Sequence, residues 1–498
     1  MSKLKIYFTS DIHGFIYPTD YANTNPKNIG LLNIINSFEK DENTLIIDCG
    51  DTIQGSPFTT YLSSTTFEDH PIAKVMNEGG YDYVTLGNHD FNYGYDYLSK
   101  YIKSLNAKCI CANVVDKTGE LPIFQYDIKT LSDGTKIGLI GFTTDFITTW
   151  EREENIKNFE ILPTFEAVKE VHDSIKNNVD LLIGIYHGGF EYDLSNHKKL
   201  SETSENIAYK ICEKLDFDIL LTGHQHMEIS NTVIHGTHIV QPPHYGSKFA
   251  QLIIDDKFTS SLKEVSLNPN KKLYNELLPL ENNVQKWLDT PVGHLDVSLQ
   301  PTSHIDMAVQ GSNLANFINQ IQLEVSGADI ACTSFANSIK GFDKDVTVRD
   351  IVSTYIYPNT LVVLKVTGEI LKKALERSAS YFDKDSSGIK VSDLFLKPKV
   401  EHYNYDYFTN IKYTIDLNKE INNRVTSILY NGNEIKPQDT FTLVMNNYRA
   451  SGAGGYEFYK DCPIVKEILT EMPEIIINYF RNHTNVIVDK SKYINIKI

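Results

Sequence analysis

Leu4-Lys5-Ile6-Tyr7-Phe8-Thr9-Ser10-Asp11-Ile12-His13-Gly14 is an apolar run that ends in an acid and a histidine two residues apart. The run has the length and aromatic and β-branched content of a buried strand. The pattern recurs along the first half of the chain. Thr44-Leu45-Ile46-Ile47 leads into Asp48-Cys49-Gly50-Asp51, and Tyr83-Val84-Thr85-Leu86 into Gly87-Asn88-His89-Asp90. Leu181-Leu182-Ile183-Gly184-Ile185 precedes His187-Gly188-Gly189, and Ile219-Leu220-Leu221 precedes Gly223-His224-Gln225-His226. Between the strands lie helix-patterned stretches, with Phe165, Val168, Val171 and Ile175 at helical spacing and a second candidate over 204–215. Strands alternating with helices read as an α/β domain. In such sheets the loops beyond the carboxyl ends of the strands meet at one crevice. Five loops therefore bring Asp11, His13, Asp51, Asn88, His187, His224 and His226 to one place.

That set holds oxygen and nitrogen donors and no thiolate. It suits Mn²⁺, Zn²⁺ or Fe²⁺ and is too rich in histidine for a pure Ca²⁺ or Mg²⁺ site. Seven donors exceed what one tetrahedral ion needs. Two divalent ions about 3.5–4 Å apart, sharing a carboxylate, fit better. Other histidines, among them His70, His172, His197, His294, His304, His402 and His483, follow no such strand-and-turn pattern and read as structural or solvated. His235, His238 and His244 read as scaffold near the last strand.

The chain has 498 residues, too many for one core, so two or more domains are expected. Its 47 Lys and Arg against 64 Asp and Glu give a formal charge of −17, which argues against a nucleic-acid polymer as partner. It does not argue against a small phosphorylated ligand, because a bound cation reverses the local sign. No apolar run approaches the ~18–20 residues of a membrane span, so no membrane partner is expected. The six cysteines are scattered and read as reduced core thiols, and with no signal-peptide pattern the chain reads as cytoplasmic. The first domain is placed at 1–262 and a polar, proline-containing linker at 263–293, with a short helix near 280–287. The second domain, 294–498, opens with a helix over 312–325. It continues with a strand over 361–366, a helix over 368–380 and strands over 411–417 and 440–445, a mixed α/β pattern.

The order DxH, GDxxxG (Gly50-Asp51 to Gly55), GNHD, HGG and GHxH resembles the calcineurin-like metallophosphoesterases. With the long second domain, the chain is similar to the two-domain 5′-nucleotidase superfamily. Within that superfamily it resembles most the 2′,3′-cyclic-nucleotide 2′-phosphodiesterase/3′-nucleotidases. The stretches that carry this are Gly87-Asn88-His89-Asp90-Phe91-Asn92-Tyr93-Gly94, Tyr357-Pro358-Asn359-Thr360-Leu361, Asn446-Asn447-Tyr448-Arg449-Ala450 and Gly452-Ala453-Gly454-Gly455-Tyr456. The resemblance implies an N-terminal αββα metallophosphoesterase sandwich followed by a mixed α/β substrate-binding domain. It implies two divalent ions. Asp11, His13 and His226 would hold the first with Asp51, which bridges; Asn88, His187 and His224 would complete the second. His89 would bind no metal and would face the substrate phosphate, where it and Asn88 would act catalytically by stabilising charge on the phosphoryl oxygens and the departing ribose oxygen.

Three departures bear on the substrate. The 5′-nucleotidases of the superfamily resemble GNHEFD, whose final Asp supports the catalytic histidine; here that position is Asn92. They carry GGDGY near the C-terminus; here Gly454 stands in place of the acid. Their arginine-containing phosphate loop is altered to Thr333-Ser334-Phe335-Ala336-Asn337-Ser338-Ile339-Lys340. The expected activity is hydrolysis of nucleotide phosphate esters, with cyclic 2′,3′ and 3′ esters ahead of a 5′-nucleotidase or nucleotide-sugar hydrolase. A nucleotide-binding receptor on a phosphatase scaffold would show missing ligands, and none is missing. The base is expected to stack on Tyr448 and on Tyr403 or Tyr405, since strand alternation would put 403 and 405 on one face.

Overall fold

The computed structural model describes residues 4–498 apart from 22–24, 195–203, 256, 358, 387, 398 and 469, so His197 and Pro358 lie outside the described residues. The chain divides into two units, Met1–Gln285 and Lys286–Ile498.

The first unit is built on two sheets. In one, the strands run in the order Phe258–Glu264, Lys248–Ile254, Leu4–Thr9, Thr44–Asp48, Tyr83–Val84, Lys108–Ile110, Ile123–Phe124. In the other the order is Ile229–Ile234, Thr237–Gln241, Ile219–Thr222, Leu181–His187, Lys136–Thr143, Tyr126–Thr130. The inner strands of both are parallel, which aligns their carboxyl ends. Alternate residues explain how the sheets meet. Ile6, Phe8, Leu45 and Ile47 of the first and Leu139, Ile183, Ile185 and Leu221 of the second belong to one buried cluster. Ile140, Phe142 and Leu182, on the opposite face of the second sheet, pack with Val168, Val171 and Ile175 of the helix Thr164–Ile175. Helices Leu31–Ile35 and Pro71–Glu78 lie on the other side of the unit, where Tyr7 stacks on Phe38 at 4.8 Å. The result is the αββα sandwich.

The segment read as a linker is largely ordered structure. Residues 271–288 form the helix Lys271–Leu288, which runs through Pro279. Leu273, Leu277, Val284 and Leu288 make its buried stripe, so its polar composition is that of an amphipathic helix with one wet face. Tyr17 Oη donates to the Tyr274 carbonyl (2.7 Å) and Tyr21 Oη to Glu281 Oε2 (3.2 Å), which anchors the helix to the first unit.

The second unit is mixed α/β. Its five-stranded sheet has the order Tyr407–Thr409, Ile330–Thr333, Thr440–Asn446, Leu361–Thr367, Ile464–Ile468. The helices Asn313–Ser326 and Gly368–Ala379 share its core. All six cysteines are free and five are buried. No helix among the described residues is long and apolar enough to cross a membrane.

The two sheets approach closely at Gly141, whose carbonyl accepts from Ala112 N at 2.6 Å. A Cβ at Gly141 would run into the Ile110 carbonyl oxygen. Gly141→Ala should therefore destabilise the first unit by about 1–3 kcal/mol, read as a drop in thermal midpoint.

Candidate metal centre

The backbone of the site is strained. Asp11 (φ 55°), His13 (φ 50°), Asp51 (φ 54°), His224 (φ 69°) and His226 (φ 55°) all sit in the left-handed region. Non-glycine residues visit it rarely, though Asp and His more than most, at a cost of order 1 kcal/mol or more each. The turns this allows fold the side chains back over the strand ends. Hydrogen bonds hold them there. Asp11 N donates to the Gly50 carbonyl (3.0 Å) and His13 N to the Asp51 carbonyl (2.7 Å), joining the first two loops. The Asp90 carboxylate accepts from Gly87 N, Asp51 N, Thr52 N and Ile53 N at 2.8–3.0 Å, joining the second and third. Gln225 exchanges two hydrogen bonds with the Phe190 backbone, tying the last two loops together. Gly50 and Gly87 meet backbone to backbone; a Cβ on Gly87 would collide with Asp51.

Two groups of donor atoms result, Asp11 with His13 and His226, and Asp51 with His187 and His224, each group within 4.8 Å. His226 Nε2 lies 3.3 Å from Asp11 Oδ1 and 3.2 Å from His13 Nε2. His187 Nε2 lies 3.2 Å from Asp51 Oδ2, and His13 Nε2 lies 3.8 Å from the same oxygen. His224 Nδ1 is 2.9 Å from Asn88 Oδ1. All seven residues expected at the crevice are therefore brought together, with Asp51 reaching both groups.

The outer nitrogens decide what the inner ones offer. His13 Nδ1 donates to the Gln54 carbonyl (3.0 Å) and His187 Nδ1 to the Cys49 carbonyl (2.7 Å). His224 Nε2 donates to Glu205 Oε1 (3.1 Å). In a neutral ring the remaining nitrogen then carries a lone pair. For His187 that lone pair faces the Asp51 carboxylate, and for His224 it faces the Asn88 oxygen. A proton or a cation has to lie between His187 and Asp51, the Asn88 amide can turn either its oxygen or its nitrogen to His224, and divalent ions satisfy both places at once. The residues present thus fit two divalent ions.

The charges agree. Burial pushes the carboxyls of Asp11 and Asp51 up, yet neighbouring imidazoles, His226 for Asp11 and His187 for Asp51, hold both below the usual carboxylate range. Burial would depress His187, but the charge of Asp51 and its hydrogen bond raise it well above the ordinary imidazole value. Burial depresses His13, which favours its neutral, ligating form. Among the described residues no Lys or Arg lies within ion-pair distance of Asp11 or Asp51; their partners are histidines.

His89 sits beside this cluster. Its ring lies 5.4 Å from that of His13, its backbone N donates to Asp51 Oδ1 (2.7 Å), and its Nδ1 pairs with Asn92 Oδ1 (2.7 Å). The His–Asp dyad is absent, as Asn92 implies, and an amide oxygen stands as the acceptor. His244, read as scaffold, stacks on His226 at 4.4 Å. Glu205 was not singled out in the sequence; it follows no strand and belongs to no motif.

In the second unit the expected aromatics separate. Residues His402–Asn404 form a 3₁₀ turn, so alternation does not apply. Tyr405 is 2% exposed in the core, with its Oη on the Ala308 carbonyl, which removes it from the stacking candidates. Tyr403 and Tyr448 are half-buried, and Arg449 contacts the backbone of the first and the ring of the second. The guanidinium donates to the Tyr403 carbonyl (2.9 Å), lies 5.9 Å from the Tyr448 ring and pairs with buried Asp406. Gly454 (φ 74°) turns beside it; a Cβ there would strike Asn404 Oδ1 and Arg449 Nη1.

Residues 4–228 match the calcineurin-like phosphoesterase family, and residues 291–461 match the 5′-nucleotidase C-terminal domain. The chain is 26% identical to a Salmonella typhimurium 2′,3′-cyclic-nucleotide 2′-phosphodiesterase/3′-nucleotidase, over 90% of this chain and 81% of that protein. It is 25% identical to the Bacillus subtilis trifunctional nucleotide phosphoesterase protein YfkN over 96% of this chain, and spans 38% of that longer relative. A Staphylococcus aureus structure assigned as a 5′-nucleotidase superposes with a TM-score of 0.88 at 32% identity, over 100% of both chains.

Glu205 fixes the ring of His224, so Glu205→Ala should weaken retention of one ion of two by about 10–100-fold, measured as metal content after dialysis. Retention should also fall as pH drops, and first for the ion held by His187, whose raised imidazole takes up a proton earliest, because each imidazole must be neutral to bind.

Proposed function

The chain belongs to the two-domain 5′-nucleotidase superfamily and is a metal-dependent phosphoester hydrolase of nucleotides; from that premise we propose that it acts as a 2′,3′-cyclic-nucleotide 2′-phosphodiesterase/3′-nucleotidase. The observation that carries the choice is the lack of room for a side chain at Gly454. In the 5′-nucleotidase pattern an acid stands there, and here its Cβ position is filled by Asn404 and Arg449. The sequence likeness to proteins named for the cyclic and 3′ activities supports the same reading.

In this reading Asp11, His13 and His226 would hold one ion with Asp51, and Asp51, Asn88, His187 and His224 would hold the other, the ions being Mn²⁺, Zn²⁺ or Fe²⁺. When bound, they neutralise phosphoryl oxygens and acidify a water. His89 hydrogen-bonds the phosphoryl group and the departing ribose oxygen, where negative charge grows. With a 2′,3′-cyclic substrate, water adds to phosphorus and the P–O2′ bond breaks, leaving a 3′-nucleotide. A second turnover adds water again, breaks the P–O3′ bond and releases phosphate and nucleoside. The base stacks on Tyr448 and Tyr403. One metal centre that takes the cyclic diester and then its monoester product accounts for two activities in one site. A 5′-nucleotidase is the competing reading, favoured by the Staphylococcus aureus likeness.

Phosphate release from 2′,3′-cyclic AMP and 3′-AMP with Mn²⁺ should exceed release from 5′-AMP; turnover of 5′-AMP alone would establish the competing reading. His89→Ala should lower kcat by ~10²-fold with metal content unchanged. Loss of one stacking ring, worth on the order of 1–3 kcal/mol, should make Tyr448→Ala raise KM for nucleotides about tenfold. It should leave bis-p-nitrophenyl phosphate, which has no base, unaffected.

A further inference from the structure

The hydrogen bond from His89 to Asn92 is the first link of a longer chain. Asn92 Nδ2 donates to Glu151 Oε2. Glu151 Oε1 accepts from Arg152 N (2.8 Å) and from Asn155 Nδ2 (2.8 Å), and the same Asn155 nitrogen reaches the Asn92 carbonyl (2.9 Å). Glu151 itself sits at the end of the short helix Ile147–Trp150, where its backbone N is bonded to the Ile147 carbonyl (2.9 Å).

The far end sets the direction. A carboxylate only accepts, so Glu151 draws the nitrogen of the Asn92 amide and turns its oxygen towards His89. An amide oxygen also only accepts, so His89 carries its proton on Nδ1. An asparagine without that acceptor has two amide orientations of similar energy, and one of them presents a donor to Nδ1 and forces the other tautomer.

We propose that Glu151 is a positioning residue for the hydrolysis: acting through Asn92, it holds the His89 ring in one orientation and one tautomer. This rests on the role given to His89 above. It also explains how the site works without the aspartate that follows the histidine in 5′-nucleotidases. The carboxylate has moved one amide further out.

The chain can be rewired by exchanging its two groups. Asn92→Asp sets two carboxylates against each other. Glu151→Gln leaves an amide nitrogen facing Asn92, which turns its oxygen outward and its nitrogen to His89. In the double variant Asn92→Asp/Glu151→Gln the new amide donates to the new carboxylate, its oxygen still serves Arg152 N and Asn155, and His89 Nδ1 again meets an acceptor. Every donor and acceptor is matched.

The test measures kcat and KM on the metal-loaded full chain with bis-p-nitrophenyl phosphate, so that the outcome does not depend on which nucleotide is preferred. Each single variant should lower kcat about tenfold or more with KM little changed, and the double variant should recover to within about threefold of wild type. In a His89→Ala background Glu151→Gln should cost nothing further. Wild-type kcat in Glu151→Gln, a double variant as slow as the two losses multiplied, or a full Glu151→Gln loss persisting without His89 would overturn the proposal. Failure of the nucleotide reading would show elsewhere, as wild-type protein that hydrolyses the diester and no cyclic or 3′-nucleotide.

Discussion

Asp51 is a carboxylate buried to 1% exposure with imidazoles around it, and the first unit is organised about that charge. One oxygen accepts the backbone N–H of His89, and the other faces His187. Burying such a group unpaired costs far more than a hydrogen bond recovers. The charge is held in place because its own backbone N, and those of the two residues after it, donate to Asp90. Asp51 thereby links the metal-binding loops to the histidine proposed to act on the phosphate.

Five left-handed residues in one place represent several kcal/mol of backbone strain. The surrounding hydrogen bonds over-determine them. Gln241 donates to Thr222 Oγ1 and the Gly223 carbonyl and accepts from Met227 N, bracketing the loop that carries His224 and His226. With Asp90 and Gln225, that makes three buried or half-buried polar side chains whose work is to shape loops. Cation binding would add free energy to a geometry that these hydrogen bonds already hold.

The strands and the seven donor residues were legible because each chemistry-bearing residue directly follows an apolar run, and parallel strands align their ends. What was not legible depended on partners distant in sequence. Glu205 meets His224 across 19 residues and Glu151 meets Asn92 across 59, and neither sits in a motif. The helix expected near 280–287 extends back through Pro279 to Lys271, because one stripe of it is buried, which polar composition did not reveal. Tyr405 looked equivalent to Tyr403 only while the stretch was taken as a strand. The turn at His402–Asn404 sends one ring to the core and leaves the other half-exposed. Asn92 looked like a lost partner because the residue type changed, although its amide oxygen still meets His89.

The central claim is that the donors gathered in this crevice hold two cations sharing Asp51. Anomalous scattering from a crystal of the Mn²⁺-loaded protein tests it most directly. Two peaks about 3.5–4 Å apart are predicted, one bonded to Asp11, His13, Asp51 and His226, the other to Asp51, Asn88, His187 and His224. A single peak, or two peaks that do not share Asp51, would contradict it.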